Sequence, residues 1–138
     1  MINLNALKKW YETLNTQSLH EIETFYKEEA FFKDPFNEVT GREKIEKIFE
    51  HMFEKMQDPR FVIVEMFQEN EQAFLTWDFV FTMNSREYKI HGSSHLKISE
   101  SKIIYHRDYW DVGEELLLKL PLVKQVYGFF QKQLSTKI

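Results

Sequence analysis

A chain of 138 residues has room for one domain, and a domain of that size buries about two thirds of the surface its unfolded chain exposes. Aromatic residues make up 16% of it, 13 of them phenylalanine, which predicts a bulky core or an aromatic-lined cavity. The absence of cysteine excludes disulfides and thiolate chemistry, and a net charge of −4 argues against nucleic acid as a partner. No stretch approaches the ~18 apolar residues of a membrane span, and residues 1–5 lack the basic-then-apolar pattern of a secretory signal. A cytoplasmic location is the expectation that follows.

Leu4, Leu7, Tyr11 and Leu14 recur at helical spacing, with Trp10 widening the stripe, and predict a helix over 3–15. Ser18 with Glu21 three residues on reads as a capping box. It would open a second helix carrying Leu19, Ile22, Phe25 and Tyr26 on one side. Residues 30–34 read as a short strand closed by Pro35. Thr40 and Glu43 form a second capping box. Behind it Ile45, Ile48, Phe49, Met52, Phe53 and Met56 make the cleanest amphipathic stripe of the chain, stopped by Asp58 and Pro59.

The period then changes. Strands are predicted over 61–67, 73–81, 88–98 and 102–110, with turns at Asn70, at 84–86 and at 99–101. Four consecutive strands with short connections form an antiparallel meander. Trp77, Phe79 and Phe81 share one strand face, the arrangement of a core. After Gly113 the helical period returns, and Pro121 is expected to begin a second helical piece after a kink. Helices first and strands later indicate an α+β class: one domain over 1–138, with the main unit at 3–112 and a helical extension at 113–138.

Two places carry chemistry. Asp34 lies between Phe31, Phe32, Pro35 and Phe36. A carboxylate in apolar surroundings resists ionisation and gains basicity, which is how a pocket base is made. The plainer reading is a turn aspartate satisfied by nearby backbone amides. His106 and Asp108 alternate on the last strand and share a face with Ile104 and Trp110. They form either a proton relay or a buried polar cluster that only fixes strand geometry. No metal and no cofactor is expected. His-x-Asp needs a further histidine downstream to make a metal triad, and none follows His106. His91 and His95 share a strand face but stand about 13 Å apart at strand rise. His20 and His51 read as surface residues of helices.

The order of elements resembles the nuclear transport factor 2-like superfamily, which includes ketosteroid isomerases and SnoaL-like polyketide cyclases. The resemblance spans about 3–112. It is closest at Asp34-Pro35-Phe36, at 41–45 (Gly-Arg-Glu-Lys-Ile) and at 102–110 (Lys-Ile-Ile-Tyr-His-Arg-Asp-Tyr-Trp). It implies a cone-like, strongly curved antiparallel sheet wrapped on the N-terminal helices, with an apolar pocket open at one end. It implies Asp34 as general base, Tyr11 as the donor that steadies a substrate oxyanion, and Tyr26 as support for Tyr11. Ser94 stands where the isomerases carry a protonated aspartic acid, a departure that weakens the match to steroid isomerisation. His106 and Asp108 would supply a second acid–base element, with Phe49 and Trp110 against the substrate.

The function so implied is binding of a small, mostly apolar molecule, with cofactor-independent acid–base chemistry of isomerase, cyclase or hydrolase type. The alternative is a non-catalytic ligand-binding or protein-interaction module. A third reading is a membrane-surface helix, because Lys119, Lys124 and Lys132 flank a wide apolar face. The resemblance also implies a homodimer through the outer sheet face, where Tyr105, Arg107 and Tyr109 would lie.

Overall fold

The computed structural model describes residues 2–120 and 122–136. Asn3 caps the first helix, α1 (Leu4–Glu12), by accepting the Ala6 N–H at 3.0 Å. The helix buries Leu7, Trp10 and Tyr11, as its spacing predicts. The second helix is much shorter than predicted. Ser18 caps nothing; its hydroxyl accepts the Asn15 N–H at 3.0 Å and its carbonyl accepts Trp10 Nε1–H at 3.0 Å. A 3-10 turn (Leu19–Glu21) leads into one turn of helix, α2 (Ile22–Phe25), and strand β1 (Tyr26–Lys33) begins at once. Tyr26 is therefore a strand residue, drawn out of the helix by pairing with the last strand.

The second capping box is not used either. Thr40 ends β2 (Glu38–Thr40), and the N-cap of α3 (Arg42–Lys55) is Gly41 at φ +119°. That backbone, reachable at little cost only by glycine, lets Gly41 N–H reach Ala30 O at 2.8 Å and tie the helix start to β1. The α3 stripe is as read, with Ile45 and Phe49 buried. The helix ends at Lys55, and Asp58 and Pro59 already belong to β3 (Gln57–Glu69), an edge strand where proline costs no ladder bond.

β4 (Gln72–Met83), β5 (Arg86–Ser99) and β6 (Lys102–Tyr109) complete a six-stranded curved, unclosed sheet in the order β2-β1-β6-β5-β4-β3. The meander over β3 to β6 is antiparallel as predicted, but β1 lies parallel to β6, so the whole sheet is mixed. Asn84 with Ser85, and Glu100 with Ser101, have positive φ at both positions, the backbone of tight hairpins that follow strand twist. Between β5 and β6 the register jumps from Lys97↔Tyr105 to Ile98↔Ile103. Ile104 is the extra residue of this bulge. Ile103, not Ile104, is the buried residue, and the predicted face of Ile104, His106 and Asp108 holds only beyond the bulge.

Leu7, Ile22 and Ile45 from the helices meet Leu75, Phe81, Leu96 and Ile103 from the inner sheet face, each at most 2% exposed. Glu12 anchors α1 to the sheet by accepting the Ile63 N–H at 3.1 Å. On the outer face Tyr105 stacks on Phe31 at 5.4 Å, and the Arg107 guanidinium lies 4.8 Å from the Tyr109 ring.

Asp111 caps α4 (Val112–Glu115) through two backbone N–H bonds, and a 3-10 turn (Leu117–Lys119) follows. This stretch is tied to β5: Glu115 accepts the His91 N–H at 2.6 Å, and Lys119 Nζ donates to Lys89 O at 2.6 Å. The second helical piece, α5, runs Val123–Leu134; Pro121, expected to start it, lies outside the described residues. Tyr127 packs on Gly113, while Val126, Phe129, Phe130 and Leu134 are exposed. Among the described residues no helix is long and apolar enough to cross a membrane.

Candidate functional site

A chain of short hydrogen bonds crosses the core. Tyr11 Oη lies 2.5 Å from Tyr26 Oη, and Tyr26 Oη lies 2.6 Å from His106 Nδ1. His106 Nε2 lies 2.6 Å from Asp108 Oδ1. Ser94, paired with Asp108 in register, donates its hydroxyl to the same oxygen at 2.5 Å. Trp77 Nε1–H donates to Ser94 Oγ at 2.9 Å. Helix α1, strand β1 and strands β4, β5 and β6 each contribute. The imidazole is held between the Tyr26 ring, stacked at 5.9 Å, and the Phe32 ring, edge-on at 4.8 Å.

The donor inventory sets the direction of this chain. If His106 donated from Nδ1, the Tyr26 hydrogen would point to Tyr11 and the Tyr11 hydrogen would have no acceptor among the described residues. Running the other way, every bond closes. Tyr11 donates to Tyr26, Tyr26 donates to Nδ1, and Nε2–H donates to Asp108. Asp108 is the terminal acceptor, and among the described residues its side-chain bonds all fall on Oδ1.

Burial pushes both phenols above their ordinary value. For Tyr11 the neighbouring Asp108 charge adds to the rise against the Tyr26 bond, and for Tyr26 Tyr11 and Asp108 both add. A raised folded-state pKa contributes stability that is intact below the unfolded phenol value, 10, and is lost as pH climbs above it. Each phenol should cost about 1.4 kcal/mol per pH unit beyond that point. The urea midpoint should thus fall steeply above pH 10, and Tyr11→Phe should flatten that fall. Parallel curves for the two proteins would rule the coupling out.

Beside this network lies a cavity of ≈ 740 Å³. Phe32, Phe49, Phe61, Trp77, Phe79 and Phe81 make its aromatic wall, with Met52, Met56, Ile90, Trp110 and Leu116. Of the residues expected at the site, Asp34, Phe49, Asp108 and Trp110 line it. Tyr11, Tyr26, Ser94 and His106 lie behind the wall. Asp108 and Trp77 belong to both the network and the lining, and Asp108, the one ionisable group of the two, has a side chain 17% exposed. Asp34 and Asp108 also share a more open hollow of ≈ 470 Å³.

Of the two readings of Asp34, the contacts are those of the turn aspartate. Its side chain is half-buried, and its Oδ1 accepts the backbone N–H groups of Phe36 at 2.8 Å and Asn37 at 2.7 Å, with Asn37 Nδ2 at 3.1 Å. Those bonds close the loop between β1 and β2, the turn role named as the plainer reading. Phe36, 66% exposed, packs edge-on against Trp110 at the same loop.

Sequence reasoning missed two features. The Trp77 bond that seats Ser94 depends on strand register. Lys47, His51 and Lys55 also line the cavity. Their spacing of four residues along α3 was the available signal, hidden by reading the helix for its apolar side. His91 and His95 have partners of their own, Asp78 at 2.9 Å and Gln72 at 2.7 Å. Among the described residues no three histidine or acidic side chains are grouped so as to hold a metal ion.

The profile of the SnoaL-like domain matches residues 7–106. No curated protein matches the chain. Solved structures share its fold at low identity. A nuclear transport factor 2-like protein of unknown function from Burkholderia pseudomallei is 12% identical, with a TM-score of 0.72 over 86% of this chain and 96% of that one. One from Cytophaga hutchinsonii is 21% identical, with a TM-score of 0.63 over 81% and 93%. An epoxide hydrolase of M. tuberculosis is 10% identical, with a TM-score of 0.71 over 97% and 94%. With a profile match across most of its length and this fold, the chain belongs to the SnoaL-like family of the nuclear transport factor 2-like superfamily.

Proposed function

We propose that the chain binds a small, largely apolar molecule in the ≈ 740 Å³ cavity and exchanges a proton with it through Asp108. The supporting observation is the position of Asp108. Its Oδ1 is fixed by His106 and Ser94, while Oδ2 has no hydrogen bond among the described residues and the side chain lines the cavity. A carboxylate held on one oxygen and open on the other is an oriented base. It takes a proton from a C–H next to a carbonyl, the isomerase or cyclase form of the step, or from a water, the hydrolase form. His106, Tyr26 and Tyr11 act as positioning residues, keeping Asp108 in one rotamer. Asp34 is the second carboxylate on the wall, but both its oxygens accept N–H groups of its own turn, so it has a lesser part than Asp108.

Nitrobenzisoxazole, an aromatic probe whose ring opens when a base removes its C–H proton, tests this. Asp108→Asn should lower kcat/KM on the order of 100-fold, the usual scale for a general base. Asp34→Asn should lower it less than about tenfold. Ring opening that is absent from the native chain would reduce the site to a non-catalytic binding pocket, and ring opening that survives Asp108→Asn would take the base role away from Asp108.

A further inference from the structure

The polar groups of the cavity are segregated by sign. Asp34 and Asp108 come from the β1–β2 loop and from β6. The basic groups Lys47, His51 and Lys55 all come from α3, one turn apart from each other, so they form a single row on the helix surface. Ile48, Met52 and Met56 on the same helix are cavity wall. The lysine stems extend that wall and carry their ammonium groups along its edge.

This row has no internal partner. None of the three side chains makes a hydrogen bond or ion pair among the described residues, in a chain with 22 acidic and 18 basic residues. A few cations elsewhere find carboxylates, Lys27 with Glu100 at 2.7 Å, Lys33 with Glu38 at 3.1 Å and Arg60 with Asp58 at 2.9 Å, and other lysines on the outer surface do not among the described residues. Glu43, Glu46, Glu50 and Glu54 lie on α3 as well, yet none of them lines the cavity. An apolar hollow edged by two unpaired lysines and a histidine N–H favours a ligand that brings the missing negative charge.

We infer that the cavity takes an organic anion: an aromatic or alicyclic body in the hollow, with one acid group against Lys47, His51 and Lys55. This rests on the ligand-binding part of the proposed function and adds the charge class of the ligand. The acid group anchors one end of the molecule on α3 and leaves the rest of its body on the wall that holds Asp108. Because these lysines are exposed, each contributes modestly, and their effect is screened by salt.

Two fluorescent probes with the same aromatic body separate charge from shape: anilinonaphthalene sulfonate, an anion, and phenylnaphthylamine, which is neutral. The native chain should bind the anion about tenfold more tightly, and added salt should shrink that margin. Lys47→Gln with Lys55→Gln should bring the two affinities to within about twofold, chiefly by weakening the anion, with a smaller change for the neutral probe. Lys124→Gln with Lys132→Gln, on the exposed face of α5, should change neither. Equal binding of both probes by the native chain would overturn the inference. So would a margin that survives loss of Lys47 and Lys55, one that vanishes with Lys124 and Lys132, or an equal loss of both probes. Nitrobenzisoxazole opening that still depends on Asp108 would then leave the proposed function standing. A charge preference confirmed beside an Asp108→Asn variant that still opens the ring would do the reverse.

Discussion

Tyr26→Phe should destabilise the protein by about 2–5 kcal/mol, whereas Tyr11→Phe should cost only about 1 kcal/mol. The contrast follows from position in the chain of bonds. Tyr26 is the middle link: its hydroxyl receives from Tyr11 at 2.5 Å and donates to His106 Nδ1 at 2.6 Å. Removing it strands a donor and an acceptor together, both in residues at most 6% exposed. Each stranded group then bears its desolvation cost without a partner. Tyr11 is the end of the chain, so its loss removes one donor and leaves Tyr26 still able to serve His106. Thermal melting reads the difference, at roughly 3–5 °C per kcal/mol for a chain of this length. Equal losses for the two variants would contradict the direction assigned to the network. Tyr26→Phe should also lower nitrobenzisoxazole turnover by raising freedom at Asp108, without weakening the binding of a neutral aromatic probe.

Gly92→Ala should cost about 1–3 kcal/mol and disturb the site from behind. Gly92 is opposite Trp77 in the β4–β5 register, and a Cβ there would stand 2.5–2.9 Å from three carbons of the indole ring. The ring cannot retreat freely. It is 4% exposed, meets Phe61 edge-on at 5.8 Å and donates to Ser94 at 2.9 Å. Moving it opens the Trp77–Ser94 bond and changes the shape of the cavity wall. A shift in tryptophan emission together with a lower melting temperature is the expected signature. Trp77→Phe placed in the Gly92→Ala protein should add less than its cost in the native chain, because the smaller ring relieves the clash. Simple additivity of the two changes would show that the close approach carries no strain.

Much of this architecture was legible in residue spacing. The α3 stripe, the meander and the inner face of Trp77, Phe79 and Phe81 are local periodic patterns, and each appears where the pattern put it. His106 and Asp108 were legible as a pair because strand alternation alone puts them on one face. The second helix was overread because capping residues and apolar spacing are weak local preferences. Tyr26 gains more from pairing opposite Ile103 than from one further helical turn. Asp34 was read from its sequence neighbours, yet the groups that occupy its carboxylate are backbone amides of the turn it helps to build.

Periodicity and composition suffice to specify the elements, their apolar faces and the aromatic character of the hollow, because each depends on residues within a few positions of one another. Which polar groups converge is a matter for the folded chain. Tyr26 and His106 are 80 residues apart and meet only because β1 lies parallel beside β6. Ser94 reaches Asp108 through cross-strand register, and a one-residue bulge decides which isoleucine below His106 enters the core. Long-range pairing of this kind leaves no local trace. Which of Asp34 and Asp108 keeps an oxygen free of hydrogen bonds among the described residues is therefore decided by three-dimensional contact rather than by residue order.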